Sequence, residues 1–291
     1  MSSFVSVRVR LGIWGAEAVG TALLVLGALS AVAFVLGEGS PLAQLPMSLR
    51  LAITGLLVGV CVALIAVSPL GRLSGAHINP AVTLGFWIVR MVPSRDLVGY
   101  IGAQLGGAFV GAYLFRWWWG QVALSVSGGV THPRVSIPAA LALEAGMTAL
   151  LMAMILLFVS RARLTRWTPL MLVPLLALLV WRGSSYTGTS LNPARSEGPA
   201  IAFGDLADLW LYFIGPLVGA AVTATTWRYL SPGLRPRTAK LFHDPRYPCS
   251  LRSELAVRGA GGRARRQDSP ARGIPVPVSR AAATAKISPP P

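Results

Sequence analysis

The chain has 291 residues, 54% of them hydrophobic and 12% charged, where a soluble domain carries roughly 25% charged residues; an ordinary water-solvated globule is excluded and lipid is the expected solvent. Its formal charge of +16 is concentrated at one end, since residues 232–291 hold 12 Lys/Arg against 3 Asp/Glu, which is 12 − 3 = 9 of that net charge. Cys61 and Cys249 are too few for a disulfide framework, His77, His132 and His243 have no metal-ligand spacing, and no nucleophile motif stands near a base. Neither an enzyme nor a cofactor or metal is expected.

Runs of near 20 apolar residues, enough for about 30 Å of hydrocarbon, occur at 11–36, 48–70, 97–118, 138–160, 167–182 and 208–230. The first follows Arg8 and Arg10 and contains Ala31, Val32 and Ala33, a small-residue pattern of the kind cleaved after signal peptides; its length and the internal Glu17 favour a retained membrane helix. Arg8 and Arg10, then Arg72, Arg90 and Arg95, then Arg161, Arg163 and Arg166, and the basic C-terminal stretch all fall on one side of six spans. By the positive-inside rule that side is the cytoplasm, with both termini there. Arg116 and Arg134 lie opposite and are read as residues that snorkel into headgroups.

Within this frame two pairs of motifs recur. Glu17 to Thr21 in span one matches Glu144 to Thr148 in span four, and Asn79-Pro80-Ala81 between spans two and three matches Asn192-Pro193-Ala194 between spans five and six. An odd number of spans per half means that the second copy enters the membrane from the opposite side, an inverted repeat. The expected channel domain is 1–231, with halves at about 11–118 and 138–230, followed by a basic disordered tail over 232–291.

Segments 74–86 and 187–196 are too short and too polar to span. Gly and Ser before each motif suit irregular backbone, and Pro directly after Asn suits the first turn of a helix. Each reads as a loop feeding a half-helix capped by its Asn. Non-helical backbone at membrane depth is tolerated only when buried in protein or facing an aqueous cavity. Two such segments predict a lined pore, with the positive dipole ends of both half-helices near the midplane repelling cations.

The twin Asn-Pro-Ala motifs, the paired Glu17 and Glu144, the 75–77 segment ending in His77, and Arg195 after the second motif resemble the aquaporin, or major intrinsic protein, family over about residues 11–231. The resemblance implies an all-α membrane fold of six transmembrane helices plus two re-entrant half-helices, a homotetramer with one pore per chain, and passive conduction of water or small uncharged solutes without ions. It also implies that Glu17 and Glu144 brace the loop backbone, with His77 packed in the loop, and that a narrow ring selects the solute. Counting back from each Asn without gaps places that ring at Gly59, Val180, Thr189 and Arg195.

Gly59 and Val180 stand where a water-selective relative has Phe and His, which implies a wider ring open to glycerol, urea or metalloid hydroxides. Ser196 in place of the Asp usual in glycerol facilitators, and the pair Tyr212 and Phe213, point toward water. An ion-coupled secondary transporter and a non-conducting scaffold are the alternatives. Gly99, Gly102, Gly106, Gly107 and Gly111, with Gly215 and Gly219, read as close-packing faces, and Trp117, Trp118 and Trp119 as interfacial anchors. The tail's charge suits anionic lipid rather than nucleic acid, despite Arg263, Arg265 and Arg266. High Arg, Ala and Gly usage fits a GC-rich bacterial genome and an inner membrane.

Overall fold

The computed structural model describes residues 7–231, 233–244 and 246. Among these residues there are nine α-helices, two single-turn 3-10 helices and no strand. The six long helices are α1 (Val7–Leu36), α2 (Met47–Val67), α5 (Ser94–Ser125), α6 (Ile137–Ser160), α7 (Thr168–Thr187) and α9 (Leu209–Leu230). All six are long and apolar enough to cross a membrane, α7 together with the turn before it. Between them stand the short α3 (Pro69–Ser74), α4 (Pro80–Ile88) and α8 (Pro193–Phe203). The expected all-α fold, with six membrane spans and two half-helices, is therefore present.

Packing follows the repeat. Helix α1 lies along α5 in the first half as α6 lies along α9 in the second, α2 meets α7 between the halves, and each half-helix packs on a long helix of the other half, α4 on α9 and α8 on α5. In lipid there is no hydrophobic force between helices, so van der Waals contact and close backbone approach must hold them. A Cβ on Gly107 or Gly111 would lie 2.1 or 2.4 Å from the carbonyl oxygens of Ala18 and Ala22, and one on Gly219 2.1 Å from that of Ala145. The helices touch where hydrogen replaces a side chain. Gly99 and Gly215 serve the same packing, whereas Gly102 and Gly106 have nothing near and do not.

Helix α5 runs past the sequence boundary at 118, with Gly120 as a non-helical break directly after the three tryptophans. Trp117 and Trp118 are exposed, while Trp119 turns inward and donates to Ser30 Oγ at 2.8 Å. Arg10 is not a free charge on the basic side: it is buried in an ion pair with Asp96, which also accepts from Trp14 Nε1 at 3.2 Å. The positive-inside pattern must therefore rest on the other arginines. Arg116 does not reach outward either, because it donates to the carbonyl of Ala202 and lies over the Phe203 ring.

The stretch after α9 also differs from the expectation of a free tail from 232 onward. Thr238, Ala239, Lys240 and Leu241 are buried against the helical body. Arg263, Arg265 and Arg266, with the rest of the basic run, lie outside the described residues.

The α1–α5 contact yields a test. Gly107→Ala and Gly111→Ala force a methyl into backbone and are expected to cost about 1–3 kcal/mol each, seen as a lower thermal midpoint in detergent. Gly102→Ala and Gly106→Ala add no clash and should hold or raise that midpoint, since Ala is the better helix former by roughly 0.5–1 kcal/mol.

Candidate functional site: two capped loops and a lined cavity

Both loops before the Asn motifs are built by one recipe, counted back from the Asn. Five residues before stands a hydroxyl, Ser74 or Thr187, whose oxygen accepts the N–H two positions on, from Ala76 at 3.1 Å or Thr189 at 3.2 Å. Next is a glycine in the left-handed region, Gly75 (φ 106) or Gly188 (φ 79), ending the preceding helix. Then Ala76 and Ile78 in one loop, and Thr189 and Leu191 in the other, hold positive φ without being glycine. Such residues cost of order 1–3 kcal/mol each and persist only where the surroundings over-determine them.

Two buried carboxylates do that. Glu17 accepts from the N–H groups of His77 (3.0 Å) and Ile78 (2.7 Å) and from Gln104 Nε2 (2.8 Å). Glu144 accepts from the N–H groups of Ser190 (3.0 Å) and Leu191 (3.0 Å) and from Thr187 Oγ1 (2.6 Å). Hydrogen bonds to charged acceptors contribute about 1.5–3 kcal/mol each, enough to offset the strained φ values. With the N–H groups turned outward to a carboxylate, His77, Ile78, Thr189, Ser190 and Leu191 line the cavity.

Each Asn caps its half-helix, Asn79 Oδ1 accepting from the N–H of Ala81 at 2.8 Å and Asn192 Oδ1 from that of Ala194 at 3.0 Å, with Pro80 and Pro193 in the first turn. The amide nitrogens then cross. Asn79 Nδ2 donates to the carbonyl of Leu191 at 2.9 Å and Asn192 Nδ2 to that of Ile78 at 2.8 Å. Each NH₂ group keeps one further N–H, and both side chains line a single cavity of about 450 Å³. The two half-helices thus meet start to start.

Toward the less basic face the cavity passes Thr54 of α2, Val180 of α7, Thr189 and Arg195, and opens among Met47, His132 and Arg134. Arg195 is held by donating from Nη1 to the carbonyl of Gly129 at 2.8 Å. Gly59, placed in this ring by counting, does not reach the cavity. A Cβ there would sit 2.7 Å from the backbone oxygen of Val173, against α7, and one on Gly55 would sit 2.7 Å from Cβ of Val180. Thr54, beside Gly55, is therefore at the level of Val180. An ungapped count from Asn79 to α2 crosses α3, a separate helical turn in that connection.

His77 packs as expected, its ring stacked 4.7 Å from that of Phe86, with Nδ1 3.2 Å from Thr83 Oγ1 and Nε2 donating to the carbonyl of Ala239 at 2.7 Å. Four supporting residues escaped sequence reading. Tyr100 Oη donates to the carbonyl of Ser74 at 2.5 Å and Tyr212 Oη to that of Thr187 at 2.7 Å, fixing the loop starts. Arg116 and Arg228 donate to the carbonyls of Ala202 and Ile88, at the far ends of α8 and α4, where the dipole is negative. The spacing signal exists, since 100 − 79 = 21 against 212 − 192 = 20, and 116 − 79 = 37 against 228 − 192 = 36. Tyr212, paired with Phe213 in the sequence as a feature pointing toward water, also anchors the second loop.

The sequence profile of the family described as Major intrinsic protein matches residues 6–227. Aquaporin AqpM of Methanothermobacter thermautotrophicus is 37% identical over 187 residues, 61% of this chain and 76% of that protein. Glycerol uptake facilitator protein-like 6 of Lactiplantibacillus plantarum is 35% identical over 214 residues, 72% of this chain and 93% of that protein. In fold, the chain is similar to the aquaglyceroporin from Plasmodium falciparum, with a TM-score of 0.61 at 24% identity, over 77% of this chain and 98% of that one.

The carboxylate brace can be tested directly. Glu144→Gln and Glu17→Gln each turn an amide NH₂ toward a backbone N–H and leave one buried donor unpaired, at about 1–3 kcal/mol. Both should lower the thermal midpoint and the permeability in reconstituted vesicles. Thr148→Val, at a buried hydroxyl with no hydrogen-bond partner, should do neither.

Proposed function

The chain belongs to the major intrinsic protein family, and we propose that it passes water together with small uncharged hydroxylated or amide solutes of the glycerol and urea class, undissociated metalloid hydroxides included. The observation that carries this reading is the pair of crossed asparagines, each lining the same cavity and each with an N–H to offer a solute. A neutral solute exchanges water for these donors and the loop carbonyls as it moves. A cation meets two helix starts, each equivalent to about half an elementary charge, and then Arg195, so ions and protons are excluded.

We assign the solute-selecting ring to Thr54, Val180, Thr189 and Arg195. Two hydroxyls and a guanidinium supply hydrogen bonds and Val180 an apolar wall; no aromatic side chain enters the ring, so its width favours solutes larger than water. The names of the relatives, aquaporin in one case and glycerol uptake facilitator in the other, agree with a mixed solute list. Ion-coupled transport lacks support, because Glu17 and Glu144 are fully engaged with backbone and Glu197 does not line the cavity. The face bearing Arg72, Arg90, Arg95, Arg161, Arg163 and Arg166 is taken as cytoplasmic. A homotetramer in a bacterial cell membrane, with the basic tail on anionic lipid, completes the proposal.

Swelling and shrinkage of protein-containing liposomes, followed by stopped-flow light scattering, test the reading. Water and glycerol should both cross faster than through protein-free liposomes, with a weak temperature dependence and no ion current; equality with the protein-free control for water, glycerol and urea alike would falsify it. Thr54→Phe should cut glycerol permeability by at least about tenfold, ~1.4 kcal/mol of added barrier, while water flow persists. Gly59→Phe should instead lose folded protein, because its ring has only the α7 backbone to occupy.

A further inference from the structure

The segment following α9 does not leave the protein at Ser231. Residues 237–244 pack on the basic face and are fastened to the helical body at four places. The N–H of Arg237 donates to the carbonyl of Val159 at 2.9 Å, near the end of α6. The carbonyl of Ala239 accepts from His77 Nε2 at 2.7 Å, and the N–H of Leu241 donates to the carbonyl of Gly75 at 2.9 Å. Lys240 Nζ donates to the carbonyl of Arg72 at 2.6 Å, while the Arg72 guanidinium lies 5.5 Å over the Phe242 ring and pairs with Asp244 at 3.1 Å. Three of these anchors, Arg72, Gly75 and His77, belong to the stretch that runs into the first half-helix.

Leu241 of this segment lines the cavity. On the basic side its lining includes Val62, His77, Val82, Ile155 and Leu172 together with Leu241, and nothing from residues 7–23 of α1 or from the 161–167 turn. Ile155 stands five residues before the end of α6 at Ser160, so the last cavity-lining residue of α6 lies roughly 7 Å short of that helix end. Leu241 is 2% exposed. Apart from His77, the side chains named around Leu241 are apolar and offer a passing solute no hydrogen bond.

We propose that residues 237–244 form a gate, a strap made from the chain itself that seats Leu241 in the basic-face end of the pore and must withdraw before solute can pass. The proposal rests on the channel reading above. Its latch is the pair of Asp244 with Arg72 at 3.1 Å; hydrogen bonds from the Arg246 side chain and backbone, within the same segment, hold the Asp244 carboxyl down to about 2, against burial and with help from the Arg246 and Arg72 charges. Because that value is depressed, the latch holds above the ordinary carboxylate range and is lost only as pH falls through about 2. Proton concentration near neutrality therefore leaves Asp244 ionised and paired with Arg72, whereas salt weakens that partly exposed pair.

The experiment compares five chains in liposomes: the full chain, a chain ending at Ser231, and full-length Leu241→Ala, Leu241→Trp and Asp244→Ala, with water and glycerol flux normalised to protein incorporated. Ending at Ser231 and Leu241→Ala should each raise both fluxes several-fold over the full chain, and Leu241→Trp should lower them. If the shortened chain does not fold, the two Leu241 substitutions show whether Leu241 lies in the path, and full-length Asp244→Ala, which releases Arg72 without touching the cavity wall, decides the gate: both fluxes rise for a strap that withdraws and stay unchanged for a fixed wall residue, which overturns the gate. Equal flux in all chains that incorporate, or lower flux in Leu241→Ala, overturns the strap while leaving the channel intact. Absence of flux in every chain overturns the channel and the strap with it.

Discussion

Two buried carboxylates hold open a stretch of backbone that lipid would otherwise forbid. A chain at membrane depth can leave the helix only if every N–H and C=O it exposes finds a partner or faces water, and Glu17 and Glu144 supply those partners for two successive N–H groups in each loop. That single assignment has three consequences. It turns the loop toward the cavity, it stabilises positive φ at Ile78 and Leu191 where neither side chain would choose it, and it sets each Asn at a helix start facing its counterpart. The crossed amide bonds then lock one half of the molecule to the other.

The two halves share this frame but not its decoration. Three residues past the first Asn the chain has Val82, and three past the second it has Arg195, so a symmetric scaffold carries one fixed positive charge on one side of its centre. The braces differ as well: Glu17 takes its third donor from Gln104 across α5, Glu144 from Thr187 within its own loop. Half-helix ends are treated alike, since Arg116 and Arg228 each reach from a long helix of the opposite half to the carbonyl end of α8 or α4. Positive side chains thus sit at the negative dipole ends while the positive ends converge at the centre, which leaves the charge at the midplane unneutralised and available to repel cations.

Much of this was legible in the sequence because it repeats there. Six apolar runs, two Asn-Pro-Ala motifs and two glutamates at matching depth specify the spans and the half-helices, and the loop hydroxyls and glycines follow the same count. Reading failed where spacing was not conserved between an element and its landmark. Counting from Asn79 to Gly59 crosses the helical turn α3, whereas packing sets Gly55 against Val180 and the cavity lining includes Thr54. Tyr100, Arg116 and Arg228 carry no local motif, since a tyrosine or arginine in a span has many readings until a carbonyl is seen in front of it. The segment after Ser231 failed for a different reason: Pro, Gly and Arg composition describes a chain without a core of its own, and residues 237–241 borrow one from the helices.

On the proposed reading two restrictions act in series along one path, a hydrogen-bonding ring at Thr54, Val180, Thr189 and Arg195 and an apolar seat at Leu241, on opposite sides of the paired asparagines. For resistances in series the larger sets the total flux, while discrimination between solutes comes from whichever restriction solutes feel differently. The ring distinguishes by width and by hydroxyl pairing; the apolar seat, when occupied, blocks water and glycerol alike. A closed strap lowers the flux of every solute together and so hides the ring's preference, which reappears in the ratio of fluxes once Leu241 has withdrawn. Because His77 binds both the strap, through Ala239, and the first half-helix, through Thr83, the seat is tied to the backbone that Glu17 holds, and movement of one is mechanically felt by the other.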